Sequence, residues 1–193
     1  MKQSLLTLCI LTVSTFLSGQ EIKFSVAPTI NFAPHYRSVQ GGPGQNIKAG
    51  FSSSFDFLFI NNKRLNFGFG LNYHFSQLEF VPNLNTGEMI LHTEKVNLLS
   101  IRFKSVCNLK NNFYLSLDPS VDFHLNHDSQ QTINNQSGIG LAIGIGKNIK
   151  IKDALYLNIE PKLWIHNIIP FNNETYPYRL TTAGLNFGLA FGL

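Results

Sequence analysis

The sequence predicts an all-β protein, namely an eight-stranded antiparallel transmembrane β-barrel with up-and-down meander connectivity. Three observations lead to this class. Eight segments alternate side chains with a period of two, one parity of each segment is apolar and uncharged, and the connections between segments alternate in length. No apolar run reaches the length of a membrane-spanning helix, so the apolar faces of strands are the predicted membrane-facing surface.

The predicted strands cover residues 22–36, 49–60, 65–77, 96–107, 113–126, 138–147, 154–166 and 181–193. Phe, Leu and Ile dominate the apolar parity of each strand. In the first four strands this parity carries Ile22, Phe24, Val26, Ile30, Phe32 and Tyr36, then Phe51, Phe55, Phe57 and Phe59, then Leu65, Phe67, Phe69, Leu71, Tyr73 and Phe75, then Leu99, Ile101 and Phe103. In the last four it carries Phe113, Leu115, Leu117, Val121 and Phe123, then Ile139, Leu141, Ile143 and Ile145, then Leu155, Leu157, Ile159, Leu163 and Ile165, then Leu185, Phe187, Leu189, Phe191 and Leu193.

The opposite parity is small or polar and is predicted to face the barrel interior. It carries most of the glycines and the charged residues Lys23, Asp56, Arg102, Lys104, Asp118, Asp122, Glu160 and Lys162. The interior of an eight-stranded barrel is only just wide enough for side chains, so it has no room for the Phe, Leu and Ile residues of the apolar parity. The apolar face is therefore expected outside, against lipid, with the polar face inside.

Connector lengths support the same arrangement. Short connections follow residues 60, 107 and 146, whereas the intervening connections, near 37–48, 77–95, 127–137 and 167–180, are longer. Outer-membrane barrels have short periplasmic turns and longer outer loops. With an even number of strands, both chain ends are then expected on the periplasmic side.

The N-terminus predicts export. Lys2 precedes an uncharged apolar stretch over 5–17 and the small residues Ser18 and Gly19, which is the layout of a secretory signal peptide. Residues 1–19 are the expected signal peptide, and 20–193 are one barrel domain. The exported chain keeps Cys107 alone, so no internal disulfide is expected. The net charge of +4 is small and scattered, and it does not favour nucleic acid binding.

Three strands carry a proline within a repeated motif. "FSVAPTINF", "LSLDPSVDF" and "LNIEPKLWI" begin at residues 24, 115 and 157, and "FGFGLNYHF" at 67 has Leu71 in place of the proline. Proline cannot donate to a strand ladder, and a closed barrel has no free edge. Pro28, Pro119 and Pro161 are therefore predicted to lie at a bulge or a locally widened pairing, with neighbouring carbonyls bonded to other donors.

Charged residues on the inward parity predict a polar network that plugs the lumen. Because both faces must stay aligned, only two registers of the fourth and fifth strands suit these charges. In an antiparallel pair, the numbers of two facing residues add to a constant that identifies the register. In the register with a sum of 220, Arg102 faces Asp118. In the register with a sum of 222, Lys104 faces Asp118. Asp118 is expected to be the most sensitive member of the predicted network, which comprises Arg102, Lys104, Asp118, Asp122, Glu160 and Lys162.

The longest predicted connection, "QLEFVPNLNTGEMILHTE", combines apolar residues with an "NTG" turn signal. The third and fourth strands are expected to continue past the membrane as a hairpin. One interpretation makes this hairpin a surface for a protein partner, and the other makes it an apolar collar at the outer interface. The residues concerned are Phe80, Val81, Leu84, Met89, Ile90 and Leu91.

The sequence gives little support for a catalytic or metal site. "HFS" at 74–76 resembles membrane-embedded lipid A deacylases, which carry His and Ser two apart on a strand, but His74 and Ser76 share the inward parity and would not meet acyl chains. His35, His124 and His166 also share that parity, and they are expected to be interior or rim residues rather than metal ligands. No catalytic residue, metal or cofactor is predicted.

The signal peptide, the "VNLLSIRFKSV" strand, the following "NLKNNFYLSLDPSVDF" and the terminal "LNFGLAFGL" resemble the PorT-like outer-membrane β-barrel family of Gram-negative bacteria. The resemblance implies an outer-membrane location, with barrel-assembly machinery, periplasmic chaperones and outer-membrane lipid as partners, and for some members a part in secretion or adhesion. The leading interpretation is a non-enzymatic structural or interaction protein. The alternatives are a narrow channel or binding pocket for small molecules, a lipid-modifying enzyme, and a soluble ligand-binding barrel.

Overall fold

The computed structural model describes residues 20–34, 44–59, 64–81, 92–127, 131–172 and 178–193. The strands are β1 Gln20–Phe32, β2 Gly44–Phe59, β3 Leu65–Val81, β4 His92–Asn108, β5 Phe113–His124, β6 Gly138–Lys152, β7 Leu155–Pro170 and β8 Thr181–Gly192. Each strand pairs antiparallel with the next, and β8 pairs with β1, which closes the barrel. The predicted fold class is confirmed.

All eight predicted strands are present, but several have different ends. β1 ends at Phe32 rather than at 36, and β2 begins at Gly44 rather than at 49. β3 continues to Val81 and β4 begins at His92, with Phe80 paired to His92, so this hairpin extends beyond the predicted strand ends as expected. The expected signal peptide, residues 1–19, lies outside the described residues.

The barrel has two different ends. The turn end carries the short connections between β2 and β3, between β4 and β5, and between β6 and β7, together with Gln20 and Gly192. The loop end carries the four longer connections. Within the described residues, no helix has the length and apolar character needed to cross a membrane.

The two faces of the wall differ as predicted. Apolar residues of the outward parity are exposed, with Phe24 at 55%, Phe69 at 54% and Leu117 at 48%. Charged residues of the inward parity are buried, with Asp56 and Asp118 both at 0%. The chain is therefore apolar outside and polar inside, which is the reverse of a soluble barrel.

Each of the three prolines interrupts one of its two ladders. Pairing between β1 and β8 lapses between Val26 and Thr29, pairing between β5 and β4 lapses at Pro119, and pairing between β7 and β6 lapses at Pro161. The ladder on the other side of each proline is continuous. Register is unchanged across each gap, so the predicted interruption is confirmed and the bulge alternative is wrong. The predicted donors to the neighbouring carbonyls stay a prediction.

Candidate functional site

Charged side chains fill the middle of the barrel. They come from five of the eight strands and point inward because they occupy the inward parity. None is more than 4% exposed. We call this group the central network, and it consists of Lys23, Asp56, Arg102, Lys104, Asp118, Glu160 and Lys162.

Asp56 is the hub of one half of the central network. Its Oδ1 accepts a hydrogen bond from Arg102 Nη2 at 2.6 Å, and its Oδ2 accepts one from Lys104 Nζ at 2.8 Å. Arg102 Nη1 also lies 3.5 Å from Asp118 Oδ2. Arg102 thereby links Asp56 on β2 to Asp118 on β5.

Lys162 and Glu160 form the other half. Lys162 Nζ donates to Asp118 Oδ2 and lies 3.4 Å from Glu160 Oε1. Glu160 Oε2 is 3.3 Å from Lys23 Nζ, and its Oε1 accepts a hydrogen bond from the Ser116 hydroxyl. The ion pairs are therefore continuous from Lys23 on β1 through β7, β5 and β4 to Asp56 on β2.

The structure brings together most of the predicted network residues but pairs them differently. β4 and β5 adopt the register with the sum of 222, as Arg102 faces Ser120. Lys104 nevertheless bonds to Asp56 rather than to Asp118. Asp122 lies apart and pairs with His166. The sequence places Lys23 and Asp56 on the inward face, but the predicted network did not contain them. Their inward parity could have identified them as members.

Glycines make these contacts possible. Gly70 on β3 is the register partner of both Asp56 on β2 and Arg102 on β4. Because Gly70 has no side chain, the Asp56 carboxylate lies over its Cα, where a Cβ would otherwise stand, and reaches Arg102. Two strands that do not pair are thus joined across the strand between them.

The same arrangement recurs over three glycines of β6. Glu160 and Ser116 meet over Gly144, Asp122 packs over Gly140 and bonds to His166, and the Tyr114 ring packs over Gly146 and bonds to Asn158. The glycine-rich "GIGLAIGIG" of β6 is therefore the surface over which polar groups of β5 and β7 contact one another.

Buried histidines lie beside the central network, toward the loop end. His166 Nδ1 is 2.9 Å from Asp122 Oδ2, and the rings of His74 and His166 have centroids 4.7 Å apart. His74 also contacts Trp164, with centroids 5.0 Å apart. Ser76 donates to Asn31 Oδ1 at 3.0 Å. His74 and Ser76 are both 0% exposed, so neither reaches the lipid-facing surface.

An apolar cluster closes the interior at the loop end, and we call it the loop-end cap. It consists of Ala33, Leu78, Phe80, Val96, Leu98, Ile133, Tyr178 and Leu180. Four members come from the inward parity of β3 and β4, where sequence reasoning expected polar residues. Apolar residues on both parities of 78–81 and 96–99 were the available signal.

The segment 131–137 is bonded across the loop end. Glu94 Oε1 and Oε2 accept hydrogen bonds from the backbone N–H groups of Thr132 and Ile133, at 2.6 and 3.0 Å. Ile133 is 0% exposed within the loop-end cap. Burial raises the pKa of the Tyr178 hydroxyl in the same cap, and the Glu94 carboxylate raises it further.

The residues of the predicted partner hairpin divide into two groups. Phe80 does not belong to an open surface, because its inward parity places it in the loop-end cap at 3% exposure, with its ring centroid 5.4 Å from that of Tyr178. Val81 is half-buried at the end of β3. Leu84, Met89, Ile90 and Leu91 lie outside the described residues.

The described part of the chain contains no cluster of three or more His, Cys, Asp or Glu side chains suited to a metal ion. Of the three histidines considered from the sequence, His166 is buried against Asp122, His124 is half-buried at the end of β5, and His35 lies outside the described residues.

Comparisons with known proteins give structural matches at low identity. The outer membrane protein AlkL matches with a TM-score of 0.51 and 9% identity, over 92% of this chain and 92% of AlkL. OprG from Pseudomonas aeruginosa has a TM-score of 0.49 and 10% identity, over 91% and 96% of the two chains. Ail, the attachment invasion locus protein of Yersinia pestis, has a TM-score of 0.43 and 14% identity, over 90% and 99%.

The sequence comparisons add no family. No protein-family model matches the chain, and no curated protein matches it. The likeness to AlkL is a likeness of fold, and it agrees with the closed eight-stranded barrel seen here.

Proposed function

We propose that this protein is a non-enzymatic, integral outer-membrane barrel of a Gram-negative bacterium that does not conduct ions and serves a structural or interaction role. One observation carries the proposal: the central network crosses the lumen with seven charged side chains, none more than 4% exposed. A water-filled channel would leave such groups hydrated, whereas here they are bonded to one another.

Charge balance supports a permanent seal. Among the described residues, the buried interior holds the cations Lys23, Arg102, Lys104 and Lys162, and the central network supplies the carboxylates Asp56, Asp118 and Glu160. Asp122, beside His166, is a further buried carboxylate, whereas the buried Glu94 at the loop end is bonded to backbone N–H groups instead. Buried charges are stable only when paired and hydrogen-bonded, so removing any one of them would weaken the pairing of its partners.

The membrane location follows from the outer face. Exposed apolar side chains surround the barrel, and a depression of about 670 Å³ on that face, near Phe55 and Leu71, is the kind of surface that lipid would fill. The turn end, with both ends of the barrel domain, is assigned to the periplasm because short turns characterise that side. Export and folding would then use periplasmic chaperones and the barrel-assembly machinery.

The interaction role is assigned to the loop end. The resemblance to the PorT-like family favours a part in secretion or adhesion, with a protein partner at the outer loops. The apolar residues of 82–91 supply the proposed contact surface, and Phe80 supports that hairpin from inside the barrel.

Planar-bilayer recording tests the sealed lumen. The purified protein should give no steady conductance with the same salt solution on both sides of the bilayer. A porin, which has a water-filled channel, is the positive control and should conduct. Stable channels from the intact protein would refute the seal and promote the small-molecule conduit instead.

Crosslinking in intact cells tests the partner surface. Deleting 83–90 should abolish capture of a protein partner while the barrel still resists proteolysis in the membrane. A deletion of the same length, residues 36–43 in the first loop, serves as the control. Unchanged capture after the 83–90 deletion would instead favour an apolar collar.

A further inference from the structure

A cavity of about 520 Å³ occupies the turn end of the barrel, below the central network. Lys23, Lys104 and Tyr114 line its inner part, and Tyr156 and Asp153 line its outer part. Its volume falls within the range of small-molecule sites. The loop-end cap closes the opposite end of the interior, so this cavity is a pocket rather than a section of a channel.

Asn158 gives the pocket an unmet hydrogen-bonding requirement. It is 1% exposed and lines the cavity. Its Nδ2 donates to Tyr114 Oη at 2.5 Å and to Asn148 Oδ1 at 2.8 Å, but its Oδ1 has no hydrogen-bond partner. A buried acceptor without a donor is costly, so Asn158 gains a hydrogen bond if its amide turns toward a ligand hydroxyl or N–H in the cavity.

The charges of the pocket do not favour an anion. Lys23 and Lys104 are the cations of its inner part, and they are already paired with Glu160 and Asp56. Glu21, a carboxylic acid, lines the wall beside them. An entering anion would therefore compete with existing buried ion pairs.

The remaining lining suits hydroxyl groups. Asparagine amides both donate and accept, as hydroxyls do, and Asn66, Asn108, Asn148 and Asn158 all line the pocket. Leu58, Val106 and the tyrosine rings add apolar surface against which the C–H face of a sugar can pack. We propose that the turn-end pocket binds a small uncharged saccharide through its hydroxyl groups, independently of whether the loop end has a protein partner.

Saturation-transfer difference NMR tests this binding with glucose, N-acetylglucosamine and chitobiose as probes. The folded barrel is held in phosphocholine micelles, because glycoside detergents would compete. At least one saccharide should bind, and Asn158→Leu should weaken it by about 10-fold or more, since the ligand loses its bond to Oδ1. Asn72→Leu is the matched control, because Asn72 is buried in the interior but does not line this pocket.

A second variant keeps the test decisive if Asn158→Leu does not fold. Asn148→Trp places a large ring in the half-buried outer wall of the pocket and should abolish binding without touching the central network. The proposal is overturned if no saccharide binds the wild-type barrel, if Asn158→Leu and Asn148→Trp both bind as well as wild type, or if acetate or phosphate displaces the saccharide.

Discussion

The Asp56 carboxylate occupies the space over Gly70 that any larger residue there would need, and from this position it bonds both Arg102 and Lys104. Strands β2 and β4 do not pair with each other, so this contact depends on the missing side chain of the strand between them. The interior glycines are therefore part of the ionic network, because they permit its cross-strand pairs.

Gly70→Ala should destabilise the barrel by about 3 kcal/mol, because the new methyl group displaces the Asp56 carboxylate and leaves Arg102 without its closest partner. Denaturant unfolding in micelles, followed by the fluorescence of Trp164, measures this change. Gly44→Ala is the control, since a Cβ at that position would meet Val81 at an ordinary 3.5 Å. Equal stability of the two variants would contradict the role assigned to Gly70.

Asp118→Ala should cost about 3 kcal/mol, because Lys162 loses a buried partner and Arg102 loses a neighbouring charge. Asp56→Ala should cost more, because each of its two oxygens bonds a separate cation. The same unfolding measurement ranks the two variants. Asp153→Ala, at an exposed turn, should leave stability unchanged. A larger loss for Asp118→Ala would instead support the prediction from the sequence that Asp118 is the most sensitive member.

The strands and their two faces could be predicted from the sequence because a period of two and an uncharged apolar parity leave few alternatives. Because the apolar faces of β4 and β5 must stay aligned, the sequence also limited their pairing to two candidate registers. The partner of Lys104 could not be predicted, since Asp56 reaches it from two strands away over Gly70. Pairing rules between adjacent strands do not describe such contacts.

The loop-end cap was missed for a different reason. Leu78 and Phe80 lie on the parity that is polar in the rest of β3. Because the prediction required one face of each strand to be apolar and the other polar, it ended the third strand at residue 77 and left both residues in the following connection. Past the apolar belt, the strands enclose a small core of their own, and the inward side becomes apolar. Apolar residues on the inward parity at 78 and 80 were the sequence feature that indicated this core.

Phe80→Ala should destabilise the loop end by about 3–5 kcal/mol, because it opens a cavity in a fully buried cluster. The lumen should nevertheless stay closed to ions, because the central network is a separate seal. Protease cleavage within 131–137 reports loosening of the cap, and bilayer recording reports the lumen. Val81→Ala, at the adjacent half-buried position, is the control and should change neither. Conductance from Phe80→Ala would show that the cap is the main barrier.

If the lumen is sealed, the unfolding free energy should change little as NaCl rises from about 0.05 M to about 1 M. Over that range the screening length falls from more than 10 Å to about 3 Å, which weakens hydrated ion pairs. The pair between Lys48 and Glu79, at 2.7 Å with Lys48 38% exposed, is accessible to salt but contributes little to stability. Arg102 and Asp56 are no more than 1% exposed, so salt cannot screen them without entering the barrel. A midpoint that falls steadily with added NaCl would mean that ions reach the central network, and the interior would then be a hydrated conduit rather than a plug.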